Sequence, residues 1–199
     1  MKSVNQLTHR WAAQNGVTSF FLAETDSTNT WAKSDFKDHD FAIYLTDSQS
    51  RGRGRGQNTW TNADAGHTWL STWSFRLQSA AQPIFPMRVG LTVFESFQHL
   101  WPQSDWALKA PNDIYLQGGK LGGILIEAEQ TGAISKIHIG IGANIYSCPR
   151  SVGQATSCLS DEVTVQDGDW FKFCFLLSQR LRELQKDPQR QNLTKDEQA

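Results

Sequence analysis

From Ile137 to Ile145 every odd position is apolar: Ile137, Ile139, Ile141, Ala143 and Ile145. The positions between them are His138, Gly140, Gly142 and Asn144. A period of two belongs to a β-strand that buries one face and turns the other outward. Trp69, Ser71, Trp73 and Phe75 alternate with Leu70, Thr72 and Ser74 in the same way. Two such segments commit the chain to a sheet.

The remaining pattern fills in around it. Strands are predicted over 17–23, 41–46, 106–109 and 114–116, with Ala110-Pro111-Asn112-Asp113 breaking the last two apart. Gln117-Gly118-Gly119 turns tightly into a strand over 120–127, which makes a hairpin. Leu7 and Trp11 share a helical face over 3–15, and Gly16 stops that helix. The capping types Asp26-Ser27-Thr28-Asn29 precede a short helix bearing Trp31, Ala32 and Lys33. Pro83 and Pro86 open a helix whose buried face is Val89, Val93, Phe94, Phe97 and Leu100. Residues 170–184 form an amphipathic helix with Phe171, Phe173, Phe175, Leu177, Leu181 and Leu184. Residues 147–165 read as loop, and the polar tail after Pro188 is expected to fray. The fold class is α+β: a mostly antiparallel sheet with helices on one or both faces.

Composition narrows the function classes. A chain of 199 residues with 39% hydrophobic content holds one cored domain, or one with an extension, and is not a disordered tract. Nineteen basic against 20 acidic residues give a net charge of −1, so no global attraction to nucleic acid is expected. No run of about 18 apolar residues marks a membrane span. Met1–Gln6 is too polar for a signal peptide. Cys148, Cys158 and Cys174 have no metal-type spacing and read as reduced thiols in a cytoplasmic protein. The five histidines lack ligand spacing, so no protein metal site is assigned. Of the eight tryptophans, only Trp60 stands in a loop that asks for more than core packing.

That loop, within 47–66, contains Gly52-Arg53-Gly54-Arg55-Gly56. Glycines let backbone N–H groups approach an anion, and arginines add fixed cationic forks. Trp60 can cover an aromatic or apolar ligand. The alternative is a solvated arginine–glycine segment that binds RNA loosely. No Walker or dinucleotide fingerprint is present. Lys109-Ala110-Pro111-Asn112-Asp113 places a cation, an amide and a carboxylate around a turn. If Asp113 and Lys120 stand on paired strands, their side chains converge on one ligand. An ordinary turn and a surface lysine are the plain alternative. Gly122 and Gly123 interrupt a buried strand, which marks close approach by a ligand or another backbone. Gly140, Gly142 and Asn144 repeat that pattern, with one amide able to meet an adenine edge.

Taken together these blocks resemble the biotin protein ligases. The resemblance rests on five ordered segments: Asp26–Asn29; Gln49 with Gly52–Asn58 and Trp60; Lys109–Tyr115; Lys120–Glu127; and Gly140–Asn144. It implies a catalytic domain of the class II aminoacyl-tRNA synthetase-like type over 1–187, followed by a polar tail over 188–199. It implies an ATP-dependent enzyme that makes biotinyl-5′-AMP and passes the biotinyl group to a lysine of a biotin carboxyl carrier domain, with Mg²⁺ arriving on ATP. Ser27, Thr28, Asn29 and Gln49 match positions that bind the biotin ring system. Gly52, Arg53, Gly54 and Arg55 match a loop that orders over biotin and the adenylate. Gly122 and Gly123 belong to the biotin-binding strand, and Lys120 to the junction of carboxylate and α-phosphate. Arg53, Arg55, Trp60, Asn112, Lys120 and Asn144 match groups near the nucleotide. Asp113 matches the acid that orients the acceptor lysine, so Arg53, Lys120 and Asp113 are the candidate catalytic residues.

Two positions depart from the family's pattern: Ala110 replaces a usual tryptophan, and Arg51 replaces a small residue. Neither an N-terminal helix-turn-helix nor a C-terminal SH3-like barrel is expected, and so no DNA partner. A homodimer through the sheet edge is left open. Two other readings stand beside the ligase: a biotin or adenylate binder without transfer, and a lipoyl or octanoyl transferase using Cys148 as nucleophile.

Overall fold

The computed structural model describes residues 3–36, 39–149, 153 and 155–194. The elements are α1 (Val4–Gln14), β1 (Ser19–Thr25), α2 (Thr28–Asp35), β2 (Phe41–Gln49), β3 (Thr68–Leu77) and α3 (Phe85–Leu100). They continue with β4 (Trp106–Lys109), β5 (Asp113–Leu116), β6 (Gly119–Thr131), β7 (Ile134–Asn144), α4 (Leu159–Glu162) and α5 (Asp167–Lys186). The strands form one sheet in the order β1-β2-β3-β7-β6-β5-β4. Only β1 and β2 pair in parallel, with α2 as their crossover; every other pair is antiparallel.

The alternation seen in the sequence sorts the two faces. Trp69, Trp73, Phe75, Ile137, Ile139, Ile141 and Ala143 are all buried against α1, α3 and α5. Six of the eight tryptophans join that core: Trp11, Trp69, Trp73, Trp101, Trp106 and Trp170. Trp69 stands at its centre, edge-on to Trp170 and Phe173 with ring centroids 5.3 and 5.4 Å away. Among the described helices α2 alone lies on the other face, packed through Ala32 and Phe36 on Ala42 and Tyr44. The rest of that second face is open for a site.

Local chemistry explains several boundaries. Ser3 caps α1 by accepting a hydrogen bond from the Gln6 amide at 3.1 Å, and Gly16 follows the helix at φ +66°. β2 leaves β3 beyond the Leu45–Ser71 pair. There Asn5 takes over the β3 edge: its amide donates to the Thr68 carbonyl at 2.9 Å and its Oδ1 accepts from the Leu70 amide at 2.8 Å. The gap between the strands is where the Gly/Arg segment emerges.

The structure corrects some expectations. The helix predicted from 170 begins at Asp167, and Phe175 is 49% exposed. Two residues on a helix span about 200°, so Phe175 cannot share the face of Phe173 and Leu177. A short helix, α4, interrupts the expected loop over 147–165, whose residues 150–152 and 154 lie outside the described residues. The tail does not simply fray after Pro188: Gln82 N donates to the Pro188 carbonyl at 3.4 Å, and Gln189 Nε2 donates to Ser79 Oγ and the Ala80 carbonyl, both at 2.8 Å. Residues 195–199 of that tail lie outside the described residues.

Candidate active site

The Gly/Arg segment folds as a small hairpin. Arg53 bridges Thr59, Gly54 N donates to the Asn58 carbonyl at 2.8 Å, and Trp60 N donates to the Gly52 carbonyl at 3.0 Å. This strap lies across the open face of the sheet and encloses a cavity of about 320 Å³. Its floor is built from the glycines of β6 and β7. Gly123 and Gly142 are cross-strand partners. A methyl group on Gly142 would sit 2.6 Å from Trp60 Cε2, and one on Gly123 would sit 3.3 Å from Trp60 Cζ3. The close approach inferred for these glycines is therefore made by the protein's own indole.

One end of the cavity is rich in hydrogen-bonding groups. The parallel register sets Gln49 beside Thr25, next to the start of α2. Gln49 Oε1 accepts from the Thr28 amide at 2.8 Å and from Thr28 Oγ1 at 3.3 Å. With its oxygen so committed, Gln49 offers a ligand its amide N–H group. Thr72 Oγ1 donates to Asn29 Oδ1 at 2.6 Å and lies 2.8 Å from Thr28 Oγ1. Gly140 makes room for Asn29: a methyl group there would come within 2.5 Å of Asn29 Oδ1.

The opposite end is charged. Lys120 Nζ lies 2.8 Å from Asp113 Oδ1, with the two side chains 18% and 19% exposed. Asn112 Nδ2 donates to the same oxygen at 3.0 Å. A register shift between Ile114 and Tyr115 brings Lys120 opposite Tyr115, and so within reach of Asp113 two residues earlier. α3 supports the turn from below, because Gly90 has no side chain where the Pro111 carbonyl arrives, 2.1 Å from any Cβ.

Just outside the cavity, beyond Leu125 on β6, stands Glu127. Arg53 pairs with it through both nitrogens, at 3.2 and 2.6 Å, and Asn29 Nδ2 donates to it at 2.8 Å. Lys33 from α2 completes its partners. Burial pushes the Glu127 carboxyl up, but hydrogen bonds from Lys33 and Asn29 and the charges of Arg53 and Lys33 outweigh it. The net result holds the carboxyl below the usual range.

The sequence-predicted residues mostly converge. Ser27, Thr28, Asn29, Gln49, Arg53, Gly54, Arg55, Trp60, Asn112, Asp113, Lys120 and Gly123 all line the cavity. Three do not. Gly52 lies buried under Trp60, whose carbonyl would be 2.5 Å from a methyl there, so it shapes the strap from behind. Gly122 faces the other way, against the Gly142 carbonyl and Ala143. Asn144 is 3% exposed, and its Nδ2 donates to the Ser157 carbonyl at 3.2 Å, because residues 155–158 lie alongside the end of β7. Cys148 is not among the lining residues either. Sequence reasoning missed Thr72, Lys33 and the role of Glu127. The last ends one of the quoted segments, and its acidity beside an otherwise apolar strand was the available signal.

A mixed sheet with three helices behind it and a polar cavity in front is the fold of the biotin protein ligases of known structure. The Aquifex aeolicus enzyme, solved with biotin and ATP, superposes with a TM-score of 0.64 at 24% identity, over 85% of this chain and 72% of that one. The Leishmania major enzyme, solved with biotinyl-5-AMP, gives 0.65 at 20% identity, over 89% and 84%. Residues 21–144 match the model of the biotin/lipoate A/B protein ligase family, and the chain belongs to that family. The biotin–[acetyl-CoA-carboxylase] ligase of Mycobacterium tuberculosis is 30% identical over 82% of this chain and 61% of its own length. That of Paracoccus denitrificans is 35% identical over 64% and 55%. The chain thus spans little more than half the length of these two relatives.

Proposed function

We propose that the chain is an ATP-dependent biotin protein ligase acting in the cytoplasm. The observation that carries this is one enclosed cavity with neutral hydrogen-bonding groups at one end, cations at the other, and a strap across both. The Gln49 amide and the hydroxyls of Ser27 and Thr28 suit a polar, uncharged ring such as a ureido group. The apolar floor of Leu70, Leu125 and Gly140 suits the chain that follows.

In the first step the biotin carboxylate attacks the α-phosphorus of ATP, forming biotinyl-5′-AMP and expelling pyrophosphate. Two anions must meet, and the cations of Arg53, Arg55 and Lys120, which line the cavity, would offset their charge. The described residues contain no cluster of three metal-ligating side chains, so Mg²⁺ would be held through the nucleotide phosphates. In the second step a lysine amine of a biotin carboxyl carrier domain attacks the mixed anhydride, releasing AMP. Asp113, beside Lys120 at the charged end, would hold or deprotonate that amine. The strap keeps water from the anhydride.

The test is biotin-dependent pyrophosphate–ATP exchange by the purified chain, followed by transfer to a carrier domain. Exchange and a biotinylated carrier are expected. Biotin binding without exchange would replace the ligase by a binding protein.

A further inference from the structure

Glu127 receives four hydrogen bonds from Asn29, Lys33 and Arg53, yet neither step above uses it. We propose that Glu127 is a positioning residue that clasps the strap to the sheet by fixing the guanidinium of Arg53, with Asn29 joining this clasp to the donor-rich end of the cavity. The placement rests on geometry alone; its effect on adenylation rests on the ligase reading.

Three observations carry it. First, the strap is a local hairpin, and the Arg53–Glu127 pair bridges residues 74 apart, which ties it to β6 by charge. An isolated pair with an arginine 42% exposed would contribute little. Here the carboxylate is held in advance by Lys33 and Asn29, so less conformational freedom is lost when Arg53 docks. Second, two cations share one carboxylate. The clasp therefore fixes Arg53 without cancelling the positive charge that an arriving carboxylate or phosphate needs. Third, polar contacts run from Glu127 through Asn29, Thr72 and Thr28 to Gln49, the last link being the Thr28 amide. A group that settles against Gln49 and Thr28 thus stiffens the same chain that holds Arg53.

The experiment compares Glu127→Gln with the wild type, each alone and combined with Arg53→Ala. Trypsin must take an arginine side chain into its own pocket, so it cuts after Arg53 only when that guanidinium leaves Glu127. Glu127→Gln should raise the cleavage rate there about tenfold or more, the size expected for losing a charged bidentate pair. It should lower the kcat of pyrophosphate exchange about 10- to 100-fold while the melting curve stays cooperative. Added to Arg53→Ala it should change kcat by less than about twofold, because the two act as one unit. Unchanged cleavage in the folded variant overturns the proposal. So does a full second loss on top of Arg53→Ala, which is what a merely structural role predicts. If Glu127→Gln does not fold, Glu127→Asp, shorter by one methylene, answers the same comparisons. A wild type without exchange would remove the ligase reading, and the cleavage rates would still decide on the clasp.

Discussion

Gly123 and Gly142 stand opposite each other on β6 and β7, and the indole of Trp60 lies on the bare patch they leave. A strand without side chains at two paired positions is weaker on its own terms. Its value here is a flat seat that any Cβ would spoil. Gly142→Ala should therefore lift Trp60, at a cost of about 1–3 kcal/mol in strap docking. Tryptic cleavage of the strap should rise and pyrophosphate exchange should fall at least about tenfold. Gly168→Ala, with nothing within 4 Å of its added methyl, should leave both unchanged.

Lys120 and Asp113 should separate the two half-reactions. On the proposed reaction Lys120→Ala removes a cation where charge would develop, and exchange should fall about 100-fold or more. Asp113→Asn keeps the shape of the turn and should depress carrier labelling more than exchange. Measuring both rates in each variant checks the assignment; equal losses in the two assays for Asp113→Asn would count against its role in transfer.

Gly90 poses a contest between two effects. Alanine is the better helix former by up to about 1 kcal/mol. The added methyl, however, would sit 2.1 Å from the Pro111 carbonyl, and overpacking of this kind costs about 1–3 kcal/mol. Gly90→Ala should lower the melting temperature and weaken exchange, since the displaced turn carries Asn112 and Asp113. A stabilised, fully active variant would show that the turn has room to move.

The Glu127 carboxyl gives the fold a definite pH signature. Its pKa is lower folded than unfolded, so its contribution to stability is present above the ordinary carboxylate pKa and disappears as pH falls through the folded value. Thermal unfolding from pH 7 down to 3 should show Glu127→Gln less stable than wild type at neutral pH. The two curves should converge at the acid end. A gap that stays constant with pH would mean the carboxylate charge is not what the clasp uses.

Much of this was legible in the sequence because it is written at short range. The odd-even pattern of 137–145 fixes which face is core, and the capping cluster Asp26–Asn29 straddles the start of α2. The spaced glycines signalled a close approach, but nothing local says what approaches. Trp60 reaches Gly142 across 82 positions, since the strap folds back over β7. Glu127 was hidden for the same reason: its partners Arg53 and Lys33 are 74 and 94 residues away. Asn144 misled in the opposite sense. It sits on the cavity side of β7, but the segment around Ser157, whose course the local pattern left as loop, covers it.

β7 meets the hydrophobic core with Ile137, Ile139 and Ile141, and meets α2 and the strap with His138, Gly140 and Gly142. The two sets are locked in phase along one backbone. Deleting a single residue here would thrust isoleucines under the indole and leave glycines facing α3 and α5, an error no substitution elsewhere could repair. Relatives of this chain can thus differ in which side chains occupy this strand, but hardly in how many. Changes of length should gather instead in the turn between β6 and β7, where register is free to absorb them.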